Sequence, residues 1–184
     1  MSQGIVRRTD KVMNEQDIVS LLDTAPVAHF GSISANGDPY VVPNLFVHHD
    51  RKLFCHTGLA GHFRSNVVAR PRVCFEISEM GTVFPYGEFE CDSSVSYRSV
   101  IGFGSISIKQ DNQEKAEFFD RFMTKYSSAS GRPKSFYPRI DQITVYALSI
   151  ETVTGKLQVL PAASEIWPAA NRTKTPGAKP PASR

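Results

Sequence analysis

The sequence predicts a mainly β fold with attached helices, a mostly antiparallel barrel, on three observations. Extended segments follow one another through short hairpins. No strand–helix–strand alternation appears. The helical patterns are few and isolated. The chain has 184 residues, 41% of them hydrophobic and 21% charged, enough for one domain with a sizeable core. Twelve Phe and six Tyr beside a single Trp provide the aromatic bulk of a β-rich core.

Taken in order, residues 14–23 read as a helix. Asn14 caps it, Asp17 follows three positions on, and Ile18, Val19, Leu21 and Leu22 form its apolar face. Residues 26–34 read as a strand, closed by Asn36-Gly37, a strong hairpin signal. The return strand, 40–48, alternates: Tyr40, Val42, Asn44, Phe46 and His48 on one face, Val41, Pro43, Leu45 and Val47 on the other. Pro43 lacks a ladder donor, which implies a bulge or an edge left free for something else. His49-Asp50-Arg51 makes the next turn, and 52–57 a third strand. Gly58 and Gly61 then break the extended pattern. A short helix over 62–70 turns Phe63 and Val67 inward.

Residues 72–78 and 82–90 read as two further strands, the second interrupted by Pro85 and Gly87. A long strand over 95–109 contains Gly102 and Gly104 on one face, the mark of a bend or a close backbone approach at a barrel corner. The clearest helix is 111–126, with Asp111 and Glu114 at its start and Phe118, Phe119, Phe122, Met123 and Tyr126 as one stripe. The stripe reads as core packing. Residues 143–153 form the last strand. A single domain over 1–160 is therefore expected, followed by a tail over 161–184 rich in Pro, Ala and Lys, disordered or lying as an arm on a partner.

Charge and composition narrow the function classes. The net charge is +3, and Arg172, Lys174, Lys179 and Arg184 in the tail account for much of it. The body carries no clustered basic stripe, so no nucleic-acid partner is expected. No apolar run approaches the ~18 residues that span a bilayer, and residues 1–14 lack the apolar stretch of a secretory signal, so no membrane partner is expected. Cys55, Cys74 and Cys91 are widely spaced and odd in number, which fits buried thiols in a reducing cytosol. No metal site is expected. His48 and His49 are adjacent on a strand and point to opposite faces, which argues against chelation.

The stretch Leu53-Phe-Cys-His-Thr-Gly-Leu-Ala-Gly-His-Phe-Arg-Ser-Asn66 is the richest in chemistry. A strand ends, a glycine-bearing turn follows, and a helix begins. Free N–H groups at a helix start attract anions. Thr57, His62, Arg64 and Asn66 add side-chain donors, and a planar guanidinium suits phosphate. The stretch thus reads as a phosphate cradle. The alternative is a plain turn with His62 and Arg64 as solvated surface. It has the spacing of neither a Walker loop nor a dinucleotide fingerprint.

Pro39-Tyr-Val-Val-Pro43, Leu53-Phe-Cys-His56, the glycine turn and Arg70-Pro-Arg-Val-Cys-Phe75 resemble, in that order, the pyridoxamine 5′-phosphate oxidase-like superfamily. Tyr97-Arg-Ser-Val-Ile-Gly-Phe-Gly104, the acidic helix with Glu114-Lys115 and the closing Thr154-Gly155-Lys156 are similar to its nitroimidazole-resistance (Nim-like) branch. The resemblance runs over about residues 12–157. It implies a six-stranded antiparallel split β-barrel of FMN-binding type, in a homodimer with FMN at the interface. It further implies that residues 40–46 lie along the isoalloxazine ring and that 56–66 hold the phosphate. Carried over by position, Pro43, Asn44 and Leu45 neighbour the ring, and Thr57, His62, Arg64 and Asn66 contact phosphate and ribityl. His56 contacts flavin or substrate, or satisfies core hydrogen bonds; both readings stand. Many relatives have Lys or Arg near positions 62 and 63, so here Arg64 must supply the fixed positive charge.

The expected function is therefore that of a cytoplasmic FMN-dependent oxidoreductase acting on a small electron-poor or nitroaromatic compound. Pyridoxamine phosphate oxidation is the weaker expectation, because Arg139 alone stands where a substrate phosphate motif is needed. No catalytic residue is assigned. The alternatives are a non-catalytic flavin carrier, or the same barrel holding haem or F420.

Overall fold

A computed structural model describes residues 5–84, 93–127 and 136–159 of the chain. Helix α1 (Glu15–Thr24) precedes strands β1 (Val27–Ile33), β2 (Pro39–His49) and β3 (Lys52–Gly58). Helix α2 (His62–Ala69), strands β4 (Arg72–Phe84) and β5 (Ser94–Lys109), helix α3 (Asn112–Tyr126) and strand β6 (Ile143–Gln158) follow. The strands close into a ring in the order β1-β2-β3-β6-β5-β4, with β4 returning to β1 through His29–Gly31. Every pairing is antiparallel.

Local sequence explains the element ends. The Asn14 side chain accepts from the Asp17 N–H at 2.8 Å, and Asp111 accepts from the Glu114 N–H at 3.0 Å, each using an orphan donor of a helix start. The β2–β3 hairpin turns through Asp50 and Arg51, both at positive φ (48° and 56°), the twist that two-residue hairpins require. Gly104 is a close approach: a Cβ there would stand 1.9 Å from the Ser149 carbonyl oxygen. The β5–β6 register also shifts between Phe103 and Gly104, so this is the barrel corner that the glycine pair predicts.

Two boundaries differ from the sequence reading. The segments read as strands 72–78 and 82–90 join through residues 79–81 into the single strand β4, with a register irregularity between Met80 and Val83; residues 85–90 lie outside the described residues. Pairing with β5 on both sides of Gly81, at Met80 and at Val83, carries the strand across it. Strand β6 runs five residues beyond the predicted end because β5 pairs with it as far as Gln158. Cys91 and the tail from residue 160 also lie outside the described residues.

The core has two parts. Inside the barrel, Phe30, Phe46, Leu53, Phe75, Ile77, Tyr146 and Leu148 are fully buried, with Leu21 of α1 and Phe63 and Val67 of α2 covering them. Outside, α3 lies on β2, β3 and β6, where Val47, Phe118 and Val145 make a second cluster. Its aromatic stripe packs there, as predicted: Phe118 is buried, and Phe119 and Phe122 lie partly buried against it.

Candidate functional site

The barrel ring is complete only over part of its height. Strand β2 pairs with β3 from Phe46 to His49, opposite Cys55 to Lys52. Upstream, Pro39–Leu45 pair with β1 alone, and His56–Gly58 pair with β6 alone. A seam therefore opens between residues 39–45 and 56–58, with an unpaired strand edge on each side. Pro43 lies within it, opposite His29 of β1, which agrees with the free edge inferred from its missing N–H. One side chain bridges the seam: Asn44 Nδ2 donates to the His56 carbonyl at 2.9 Å.

Helix α2 closes the end of the seam. Its Phe63 ring sits between Phe30 and Tyr146, at centroid distances of 5.9 and 5.3 Å. Asn66 is buried and donates from Nδ2 to the Ser32 hydroxyl at 3.1 Å, which fixes the helix to β1. The helix begins after Gly61, whose φ of 140° a residue with a side chain rarely adopts, and no side chain caps its first N–H groups. His62, the first helical residue, stacks on Tyr40 of β2 at 5.0 Å and 23°.

Three polar groups gather beside this helix. Thr57 Oγ1 donates to the Gly58 carbonyl and stands 2.9 Å from the Tyr146 hydroxyl. Burial raises the pKa of Tyr146, and the positive charge of Arg64 is the weakest of the influences that oppose the rise. Arg64 Nε is shut off from solvent and has no hydrogen-bond partner. A guanidinium whose Nε lacks a partner, on the first turn of a helix with an uncapped start, fits a phosphate group.

His56 presents two faces. Its carbonyl borders the seam, while its ring lies among Phe118, Phe119 and Phe122 of α3 at 5.8, 5.2 and 5.3 Å. Nδ1 is buried without a partner, and burial pulls the imidazole pKa below its ordinary value, which keeps the ring neutral at pH 7. The ring lines a cleft of about 440 Å³ outside the barrel, between α3 and residues 136–143.

Of the sequence-predicted residues, Pro43, Asn44 and Leu45 lie along the seam on β2, and His56 and Thr57 face them on β3. His62 and Arg64 stand at the start of α2. Asn66 sits apart, turned onto β1. Sequence reasoning missed Tyr146, because only the β3–β6 pairing brings it to Thr57, 89 positions away. It also missed Tyr40 as the partner of His62, because only the seating of α2 against β2 brings the two rings together. Among the described residues, no group of three or more His, Cys, Asp or Glu is placed to hold a metal ion, and no helix is long and apolar enough to cross a membrane.

Comparison with known proteins places the fold. No curated protein matches the chain by sequence. Solved structures match it closely in fold. The flavocytochrome Anf3 from Azotobacter vinelandii aligns at a TM-score of 0.74 and 21% identity over 91% of this chain and 77% of that one. A protein of Bacteroides thetaiotaomicron, provisionally described as a 5-nitroimidazole antibiotic resistance protein, aligns at 0.67 and 24% over 79% and 85%. The FAD and haem binding protein from Mycobacterium smegmatis aligns at 0.64 and 22% over 80% and 73%. At these identities the likeness is one of fold. The profile of the pyridoxamine 5′-phosphate oxidase family matches residues 14–157, the whole barrel with its three helices, and the chain belongs to that family.

Proposed function

We propose that this protein binds FMN along the seam between β2 and β3 and acts, as a homodimer, as an oxidoreductase on a small molecule. The observation that carries the reading is that Arg64, whose Nε is buried without a partner, stands at the uncapped start of α2, at the end of a cleft with two unpaired strand edges. Bound FMN supplies the electron transfer. The chain's own residues bind and orient it. Arg64 would pair with the phosphate together with the first N–H groups of α2, and the free backbone edge of Pro43–Leu45 would lie along the flat ring. Asn44 holds the two walls together, and Asn66 sets the position of the helix.

The binding of flavin or haem by structural relatives supports a redox cofactor in this barrel. A nitro-compound reductase is the favoured activity, in line with the likeness to the Bacteroides protein. The test is the absorption spectrum of the purified protein, followed by titration of the apo form with FMN and with haem. One FMN per chain is expected. Arg64→Ala should weaken it by about 10- to 100-fold, or ~1–3 kcal/mol. A Soret band, or no uptake of FMN, overturns the reading; unchanged affinity in Arg64→Ala removes that residue from the site.

A further inference from the structure

The cleft outside the barrel goes beyond the seam and calls for its own account. Its walls are the rings of Phe119, Phe122 and Tyr137 with Met123 and Ile143, and the His56 ring lies in one wall. Phe119 meets Phe122 edge-on at 6.0 Å and Tyr137 at 5.2 Å, so the aromatic wall is pre-arranged before anything enters. Two features are unusual for core packing. Phe136, at the rim, is 62% exposed. Arg139, also at the rim, is exposed, and no carboxylate among the described residues pairs with it. Two carboxylates of this region are engaged elsewhere: Asp141 accepts from Asn112 at 3.0 Å, and Asp120 accepts from the Tyr137 hydroxyl at 2.7 Å.

An apolar slot lined by aromatic edges favours a flat ring, and one guanidinium at its mouth favours one planar anion. A volume of about 440 Å³ admits a molecule of two fused rings. We propose that this cleft is a binding site for a small planar aromatic carboxylic acid, its ring against the wall of Phe119 and Phe122 and its carboxylate on Arg139. His56 Nδ1 is closed off, so the other nitrogen, Nε2, is the polar atom its ring can offer such a ligand. Because the carbonyl of the same residue borders the seam, a ligand here is also the candidate small-molecule partner of a flavin; that extension alone rests on the FMN reading.

The experiment titrates the full chain, without FMN, with 2-naphthoate and with its neutral counterpart 2-naphthalenemethanol, following ligand fluorescence and the histidine ring signals by NMR. The site predicts saturable binding of 2-naphthoate, weaker binding of the alcohol, and a ring-current shift of one histidine signal that is absent in His56→Gln. Arg139→Gln, an exposed change that leaves the core intact, should cost 2-naphthoate about tenfold in affinity and the alcohol less than twofold. No saturable binding, equal binding of the two ligands, or an unchanged affinity in Arg139→Gln each overturns the proposal. A separate FMN titration of the same sample reports on the seam, so failure of one site is distinguishable from failure of the other.

Discussion

Lys125 illustrates how a single residue departs from what its sequence position suggests. Near the end of an amphipathic helix it reads as a solvated cation, yet its Nζ is buried, has no hydrogen-bond partner and stands 3.8 Å from the centre of the Phe46 ring. Burial lowers its pKa to about 8, against the opposing pull of Asp23. The sign of the linkage follows. Between pH 8 and 10 the unfolded chain keeps this proton while the folded chain has lost it, so stability rises with pH across that window; below pH 8 both forms are protonated and the slope vanishes. Urea midpoints of the wild type should rise from pH 8 to 10 relative to Lys125→Met, whose midpoints lack this component. Parallel curves would show that the ammonium is solvated after all. Arg64 and His56 differ in legibility. Arg64 was identifiable from the sequence as the one fixed cation of the turn. The neutrality of His56 was not, because it depends on three rings from a helix more than 60 positions away.

Elements were legible where the signal is local. Both predicted caps form, the Asn-Gly hairpin closes as Ser34 N–H bonds the Asp38 carbonyl, and Phe63 and Val67 point inward. The Gly102–Gly104 pair was correctly read as a close approach, and its partner, the backbone of β6, became visible only in the register. Gly104→Ala should destabilise the protein by about 3 kcal/mol or more, because the obstacle is the Ser149 carbonyl and not a flexible side-chain end. Gly58→Ala is the control: no atom lies within 4 Å of its added Cβ, so a change within about 0.5 kcal/mol is expected. Chemical denaturation of the two variants measures both, and equal losses would place the strain elsewhere. Misread ends, such as that of β6, occurred where a neighbouring strand extends the pairing beyond what propensity supports.

At the scale of the molecule, the outer surface of the barrel carries large exposed apolar side chains on neighbouring strands: Val41 (63%) and Leu45 (38%) of β2, and Ile33 (36%) of β1. Val41 and Leu45 belong to the stretch of β2 that forms one wall of the seam. A second copy seated on this face would bury them and narrow the seam at the same time, which links the proposed homodimer to cofactor retention. Val41→Glu is therefore expected to shift the protein from dimer to monomer in light scattering and to lower FMN retention in the same sample. A dimer unaffected by Val41→Glu would move the interface to another face.

What the sequence by itself determined was everything carried by near neighbours: helix starts, the hairpins, the alternation of β2, the turn with its donors, and, through ordered motifs, the family. Only the tertiary structure decided where the barrel fails to close, which hydroxyl meets Thr57, and that His56 shares a cleft with α3. The physical reason is range. Caps and turns are set by hydrogen bonds within a few residues. The seam and the cleft arise where strands and a helix distant in sequence either pair or leave one another unpaired, and that choice is made by burial across the whole ring.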